Sequence, residues 1–139
     1  MSRFPYIAYG LSIESEFEIP ELASGADGEP DIAIRAGSVP ETLEQPYARG
    51  VLYQAAAGRF LLNVPRIARY LVADGSSIVI QQAAGAVDVD VRVFLLGSVF
   101  GALLHQRGVL PLHGSAIAAP SGEPCEGRGI AISWRCSSP

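Results

Sequence analysis

The stretch ARYLVADGSSIVIQQ, residues 68–82, decides the fold that this sequence predicts. It contains two short runs rich in apolar and β-branched residues, Ala68–Ala73 and Ser77–Gln82, separated by a segment that begins with Asp74-Gly75. An aspartate followed by a glycine favours a tight turn, because both central positions of such a turn require a positive φ. We therefore expect a β-hairpin here, and with it an antiparallel sheet.

Further short strands lie upstream of this hairpin. Val51–Ala55 and Arg59–Val64 flank Ala57-Gly58, which predicts a second hairpin. Apolar residues alternate with other residues from Ile7 to Ile19, a pattern typical of one strand with charges on its outer face. Asp31–Arg35 adds another short strand. These segments predict a mostly antiparallel sheet of short strands.

The spacing of the apolar residues changes after Asp88. From Val89 to Gln106 they recur every three or four residues, which predicts one long helix. Asp88 is expected to cap the start of this helix, Asp90 to place a favourable charge in its first turn, and Gly108 to end it. The apolar positions are Val91, Leu95, Val99, Ala102 and Leu103.

Gly97 and Gly101 lie four residues apart in this helix. In a chain without a membrane segment, we expect such small residues to let the helix approach the sheet closely. The predicted fold class is therefore α+β: a mostly antiparallel sheet of short strands with one long helix packed on it.

The composition limits the classes of function. The 139 residues are 49% apolar and carry a formal net charge of −4, which fits one domain with its own core. This charge gives no electrostatic reason to expect a nucleic-acid partner. All ten basic residues are arginine, and the absence of lysine excludes mechanisms that need a Schiff-base or phosphate-loop lysine.

The sequence predicts a soluble, cytoplasmic protein that does not contact a membrane. Its N-terminal stretch has acidic residues where a secretion signal would have an apolar core. The most apolar segment, Val93–Leu104, is too short to span a bilayer. Cys125 and Cys136 have no partners at zinc-site spacing, and we expect both to be free thiols.

His113 is the candidate active-site residue. It follows a short apolar run, where an imidazole must find either a partner or a cleft, so a functional and a purely structural histidine both remain open. Ser115 would lie on the same face of a strand, but no acidic residue is identifiable to complete a triad. His105 is expected near the helix C-terminus, where the helix dipole favours a structural or solvated histidine.

Glu14, Glu16 and Glu18 occupy alternate positions of one predicted strand. They could resemble a metal site, but no histidine lies near them in the sequence. A solvated sheet face is the favoured interpretation.

Several stretches carry a resemblance to a known family. The end of the predicted helix, FGALLHQRG, continues into VLPLHGSAIAAPSG, residues 109–122. This resembles the segment before the phosphate loop in the HPr serine kinase-like family, some members of which belong to lasso-peptide clusters. YIAYGLSIESEFEIPEL, DIAIR and GRFLLNVPRIARYLV also look like the front part of those relatives. The resemblance covers residues 4–122, and PLHGSAI is its most specific part.

The resemblance implies an ATP- and Mg²⁺-dependent kinase that phosphorylates a serine of a protein or a precursor peptide. His113 would correspond to the family's motif histidine, and no other family site residue has a counterpart here. The strand that carries it would lead into a phosphate-loop kinase core. That loop carries a lysine and a serine or threonine, and G-x-x-x-x-G-K-[ST] does not occur in this sequence.

We therefore expect residues 1–122 to be the N-terminal α+β domain of an HPr kinase-like protein. Residues 123–139 are expected to be an atypical, disordered or frameshifted tail of a truncated product. This chain should bind no cofactor or metal and should be inactive by itself. Two alternatives without catalysis remain: a module that binds a peptide along an exposed edge strand, or an oligomerising scaffold.

Overall fold

The computed structural model of the chain describes residues 2–110, and the backbone alone of Ser115–Ala118 and Ile130–Ser133. Between residues 2 and 110, nine strands form one sheet in the order β3-β1-β2-β4-β9-β8-β7-β6-β5. In chain order the strands are β1 (Phe4–Ala8), β2 (Leu11–Ser15), β3 (Ala23–Ser24), β4 (Ile32–Ala36), β5 (Ala48–Arg49), β6 (Tyr53–Ala56), β7 (Arg59–Val64), β8 (Ala68–Ala73) and β9 (Ser77–Gln82). With the helix that follows, this confirms the α+β prediction.

Strand β4 joins two antiparallel ribbons. The first ribbon contains β3, β1 and β2, and the second runs from β9 through β8, β7 and β6 to β5. Strand β4 lies between them and is parallel to both of its neighbours, β2 and β9. The sheet is thus mostly antiparallel, as expected. The parallel pairing at its centre was not predicted from the sequence.

Both predicted hairpins are confirmed. Asp74 and Gly75 have φ of 54° and 65°, and the Ser76 amide donates to the Ala73 carbonyl at 3.1 Å. These positive φ values are the reason for the aspartate–glycine pair. In the other hairpin Ala56 pairs with Arg59, and β6 begins at Tyr53, two residues later than predicted.

The expectation of one strand from Ile7 to Ile19 is wrong, because the chain turns at Tyr9-Gly10. These two residues have φ of 55° and 73°, and Ala8 pairs with Leu11 across the turn. A two-residue turn reverses the alternation, because residues that pair across it share a face: Tyr6 pairs with Ile13 and both are buried, whereas Ile7 pairs with Ser12 and is 49% exposed. Ile7 and Tyr9 are exposed apolar residues, so the alternation from Ile7 to Ile13 does not mark one face of a single strand.

The predicted helix spans residues 88–106 and contains a π-helical middle. Its segments are α1 (Asp88–Phe94), a π-helical segment (Leu95–Val99) and α2 (Phe100–Gln106). The Phe100 amide donates to the Leu95 carbonyl, five residues back. This widened turn inserts one extra residue into the helix.

The two ends of the helix differ in how well they were predicted. Gly108 has φ of 77° and donates to the His105 carbonyl at 3.0 Å, while Val109 donates to the Leu104 carbonyl at 2.9 Å. This is the expected glycine stop. Asp88 is not the capping residue: it is the first helical residue, and its carboxylate accepts a hydrogen bond from Gln82 at 3.1 Å.

The helix covers one face of the sheet. Tyr70, fully buried on β8, donates its hydroxyl to the Val91 carbonyl of the helix at 2.8 Å, and burial raises its pKa. The largest fully buried side chains of this core include Ile13, Ile19, Ile32, Ile34, Val72, Ile78, Ile80, Leu95, Phe100 and Leu103. A smaller core on the opposite face joins Val39 and Leu43 of the β4–β5 loop to Ala56 and Leu61.

The expected role of Gly97 and Gly101 is wrong. A Cβ atom added to either glycine would meet nothing within 4 Å, so neither residue permits a close approach to the sheet. Gly97 is exposed and Gly101 half-buried, both toward the outside of the helix. The extra residue of the π-helical segment changes which helix positions face the sheet.

Two further strands, β10 (Ser115–Ala118) and β11 (Ile130–Ser133), pair antiparallel as a separate two-stranded sheet. Strand β11 lies within residues 123–139, the predicted tail. His113 and the rest of the predicted tail fall outside the described residues. No helix of the described part is long and apolar enough to cross a membrane.

Candidate functional site

A groove of about 720 Å³ lies between the C-terminal half of the helix and the outer strands of the second ribbon. We call it the helix–hairpin groove and define it by Tyr47, Ala55, Arg59, Phe60, Ala102 and His105. Its size falls within the range typical of ligand-binding clefts. It is about twice as large as a second cavity, of about 350 Å³, described below.

Aromatic and small side chains form the apolar part of the groove. Phe60 of β7 stacks on Tyr53 of β6, with ring centroids 5.8 Å apart and planes 18° from parallel. Tyr47 is held by its amide, which donates to the Ala55 carbonyl at 2.8 Å, yet its side chain is 74% exposed. Ala102 of the helix leaves space opposite these rings. Such a surface accepts an apolar side chain of a ligand.

Hydrogen bonds tie the helix end to the turn beside the groove. The Gly75 amide donates to the Gln106 side chain at 2.8 Å, and the Arg107 guanidinium donates to the Gly75 carbonyl at 2.8 Å. The Asp74 amide donates to the Gly58 carbonyl at 2.9 Å, which joins the turns of the two hairpins. The groove wall is therefore fixed by contacts among three separate elements.

The polar groups around the groove offer both donors and acceptors. Arg59 and His105 are exposed, and Arg59 forms no ion pair with any residue of the described chain. Asp74 supplies a carboxylate, and Ser98 a hydroxyl on the helix side. Peptide backbone carries both donors and acceptors, so this arrangement is chemically suited to a polypeptide segment.

A second cavity of about 350 Å³ lies where β2 ends and the helix begins. Glu16, Glu18, Asp88 and Arg92 line it. Arg92 pairs with Glu21 at 3.0 Å. A backbone hydrogen bond, together with the Arg92 guanidinium, holds the pKa of Glu21 below its usual value. Within residues 2–110 no group of three or more His, Cys, Asp or Glu side chains could hold a metal ion.

Two of the three alternating glutamates, Glu14 and Glu16, pair with arginines. Arg3 pairs with Glu14 at 3.4 Å, and Arg35 contacts Glu14 and lies 3.6 Å from Glu16. Glu14 and Glu16 are half-buried, whereas Glu18 is exposed. This network is not apparent from the sequence, because Arg35 reaches β2 only through the parallel pairing of β4.

No family model, no curated protein and no solved structure matches this chain. The resemblance to HPr kinase-like proteins thus rests on the motif residues themselves.

The structure does not describe the predicted site residue His113, and of Ser115 it describes only the backbone at the start of β10. His105, predicted to be structural or solvated, is exposed at the helix end and contributes to the groove. Sequence reasoning did not find Tyr47, Arg59 or Phe60 as site residues. An available signal was the aromatic residue in each of two facing strands, Tyr53 and Phe60.

Proposed function

We propose that this chain is a recognition module that binds an extended segment of a protein or peptide in the helix–hairpin groove. The observation that carries the proposal is the groove itself. Phe60, Tyr47 and Ala102 provide an apolar surface, and Arg59, Asp74 and His105 provide polar groups beside it. An aromatic or branched apolar side chain of the partner would occupy the apolar part.

The two sheet edges favour the groove over binding as an added strand. Edge strands β3 and β5 have only two residues each. The outward backbone groups of β6 are already used, because the Tyr47 amide donates to Ala55 and the Gly50 amide to Tyr53. Short, paired edges of this kind discourage the addition of another strand. We therefore assign recognition to side chains in the groove.

The proposal is tested by selecting binding peptides from a random phage-displayed library on the full-length chain. Ala102→Arg fills the groove from the helix side, and Ala84→Arg places the same side chain on an exposed loop as a matched control. Selected peptides should bind the parent and Ala84→Arg alike, and roughly tenfold or more weakly to Ala102→Arg. Equal binding to Ala102→Arg, or no enrichment at all, would refute the proposal. Circular dichroism establishes that both variants are folded.

A second candidate is membership of the HPr kinase-like family, supported by the motif PLHGSAI at residues 111–117. In that case the bound polypeptide would be the serine-bearing protein or precursor peptide. ATP and Mg²⁺ would act at residues that follow the motif in the family. The 139 residues contain no lysine, so we propose that they recognise a partner without transferring a phosphoryl group themselves.

Calorimetric titration of ATP–Mg²⁺ into the chain tests this second candidate. The absence of heat at millimolar nucleotide would agree with recognition without nucleotide binding. Saturable binding that disappears in His113→Ala would instead support a nucleotide site at the motif, and would contradict our view that this chain binds no cofactor.

A further inference from the structure

The helix has an apolar outer face that no described residue covers. Val89 and Val93 are 53% and 61% exposed on it. Gly97, Gly101 and His105 continue the same spacing of four residues, and Gly97 and His105 are also exposed. We call these five residues the outer face. It is independent of the function proposed above, although His105 also borders the groove.

The π-helical segment keeps these five residues on one side of the helix. In a regular α-helix, each step of four residues rotates the position by about 40° around the axis. Over sixteen residues that drift would carry His105 away from the direction of Val89. The wider turn at Leu95–Val99 inserts one residue, equivalent to about 100° of rotation, and so offsets most of that drift of about 160°. The buried positions change accordingly, from Val91, Leu95 and Val99 to Phe100, Leu103 and Leu104.

The residues of the outer face are poor choices for a helix surface in contact with water alone. Glycine is among the weakest helix formers, and valine ranks below the unbranched residues. Added Cβ atoms at Gly97 and Gly101 would meet nothing within 4 Å, so packing inside the described chain does not require glycine. Residues that weaken a helix, and that no packing inside the described chain requires, indicate a partner outside it.

We propose that the outer face binds the outer face of a second copy of this chain, with the two helices antiparallel and crossing at Gly97. Gly97 is the midpoint of the helix at residues 88–106. A two-fold axis there sets Val93 of each copy against Gly101 of the other, because both lie four residues from Gly97. A branched side chain then fills the space beside a glycine, and Val89 meets His105.

The charges along the helix favour a second copy in this orientation. Asp88 and Asp90 lie in the first turn, and His105 and Arg107 lie at the other end. Antiparallel pairing brings the acidic end of each helix to the basic end of the other and opposes the two helix dipoles. The carboxylate of Asp90 comes level with His105 of the second copy, within about one residue of helical rise. Parallel pairing would instead set the aspartates against one another.

Sedimentation velocity of the full-length chain over a range of micromolar concentrations tests the proposal. The parent should pass reversibly from monomer to dimer. Gly97→Gln should remain monomeric, with dimerisation weakened roughly tenfold or more, because the new side chain blocks the crossing point. In the monomer, the glutamine side chain of Gly97→Gln would extend into open space, and glutamine is a better helix former than glycine. The melting temperature of this variant should therefore not fall below that of the parent.

A charge exchange supplies the second test. Asp90→Arg should weaken the dimer, and Asp90→Arg combined with His105→Asp should restore it. A parent that stays monomeric at all concentrations would overturn the proposal. So would a Gly97→Gln variant that dimerises as well as the parent, since the contact would then lie on another face.

Discussion

At the residue scale, Tyr70 connects the sheet to the helix through one buried hydrogen bond to the Val91 carbonyl. We expect Tyr70→Phe to lower the free energy of unfolding by about 1 kcal/mol, the usual net value of one such bond. Urea denaturation measures the difference. Tyr47→Phe removes an exposed hydroxyl and is the matched control, for which no change is expected. An equal change in the free energy of unfolding of both variants would mean that the Tyr70 hydrogen bond does not stabilise the protein.

Asp31 gives the second prediction at this scale, concerning the dependence of stability on pH. Hydrogen bonds from the Ser12 amide at 2.9 Å and the Ser12 hydroxyl at 3.1 Å hold the pKa of Asp31 below its usual value. A carboxyl with a lowered pKa in the folded state stabilises the protein above the pKa of the unfolded chain, near about 3.9. That contribution is lost as the pH falls through the lower, folded-state value.

NMR titration of the Asp31 carboxyl carbon checks this prediction directly. The midpoint should lie below that of an unstructured aspartate, and it should rise in Ser12→Ala, which retains the backbone donor but loses the hydroxyl. A midpoint that is unaffected by Ser12→Ala would contradict the role of the hydroxyl.

The sequence identified several residues correctly because their roles are local. The turn at Asp74-Gly75 and the stop at Gly108 each depend on a positive φ, which aspartate and glycine tolerate. Asp88 was misassigned as a cap, because its carboxylate contacts Gln82, a residue on a strand whose position the local pattern does not reveal.

At the scale of elements, the turn between β8 and β9 is held against the helix end. A Cβ on Gly75 would lie 2.7 Å from Cγ of Arg107, and φ there is 65°. Gly85 has a φ of 78° but open space around it. We expect Gly75→Ala to lower the free energy of unfolding by about 1–3 kcal/mol, and Gly85→Ala to lower it less, since only the backbone strain is common to both. Thermal or urea unfolding of the pair measures the contribution of the helix–turn contact.

The existence of the elements was predictable, but some of their boundaries were not. Alternation and helical spacing are local signals, and they identified β6–β9 and the helix. The turn at Tyr9-Gly10 was hidden because two exposed apolar residues, Ile7 and Tyr9, continue the spacing of Leu11 and Ile13 across it. The π-helical segment Leu95–Val99 was hidden because its extra residue leaves apolar side chains at spacings of three and four. Only the buried and exposed positions in the folded chain reveal it.

At the scale of the whole molecule, residues 2–110 form the nine-stranded sheet, the helix and the two cores described above. The last buried residue in the described part is Leu104, and the helix stops at Gly108. We therefore expect a chain that ends at Leu110 to unfold in one cooperative transition. Comparative urea titrations would test this. Loss of the cooperative transition would mean that residues 111–139 are required for folding.

The arrangement of the molecule was the least predictable part. The parallel pairing of β4 with β2 and β9 joins segments far apart in sequence. The groove likewise combines Tyr47 from a loop, Phe60 from a strand and His105 from the helix. Such combinations depend on tertiary structure, which short-range patterns do not contain. The motif at His113 was identifiable from sequence, and its role stays a prediction.

The position of β4 between the two antiparallel ribbons has a consequence for how the protein opens. Ile32 and Ile34 of this strand are completely buried, and its backbone bonds join one ribbon to the other. Either ribbon could fray from its own outer edge while β4 remained in place. The amide hydrogens of β4 should therefore be among the last to exchange with deuterium, because releasing them requires the whole molecule to come apart.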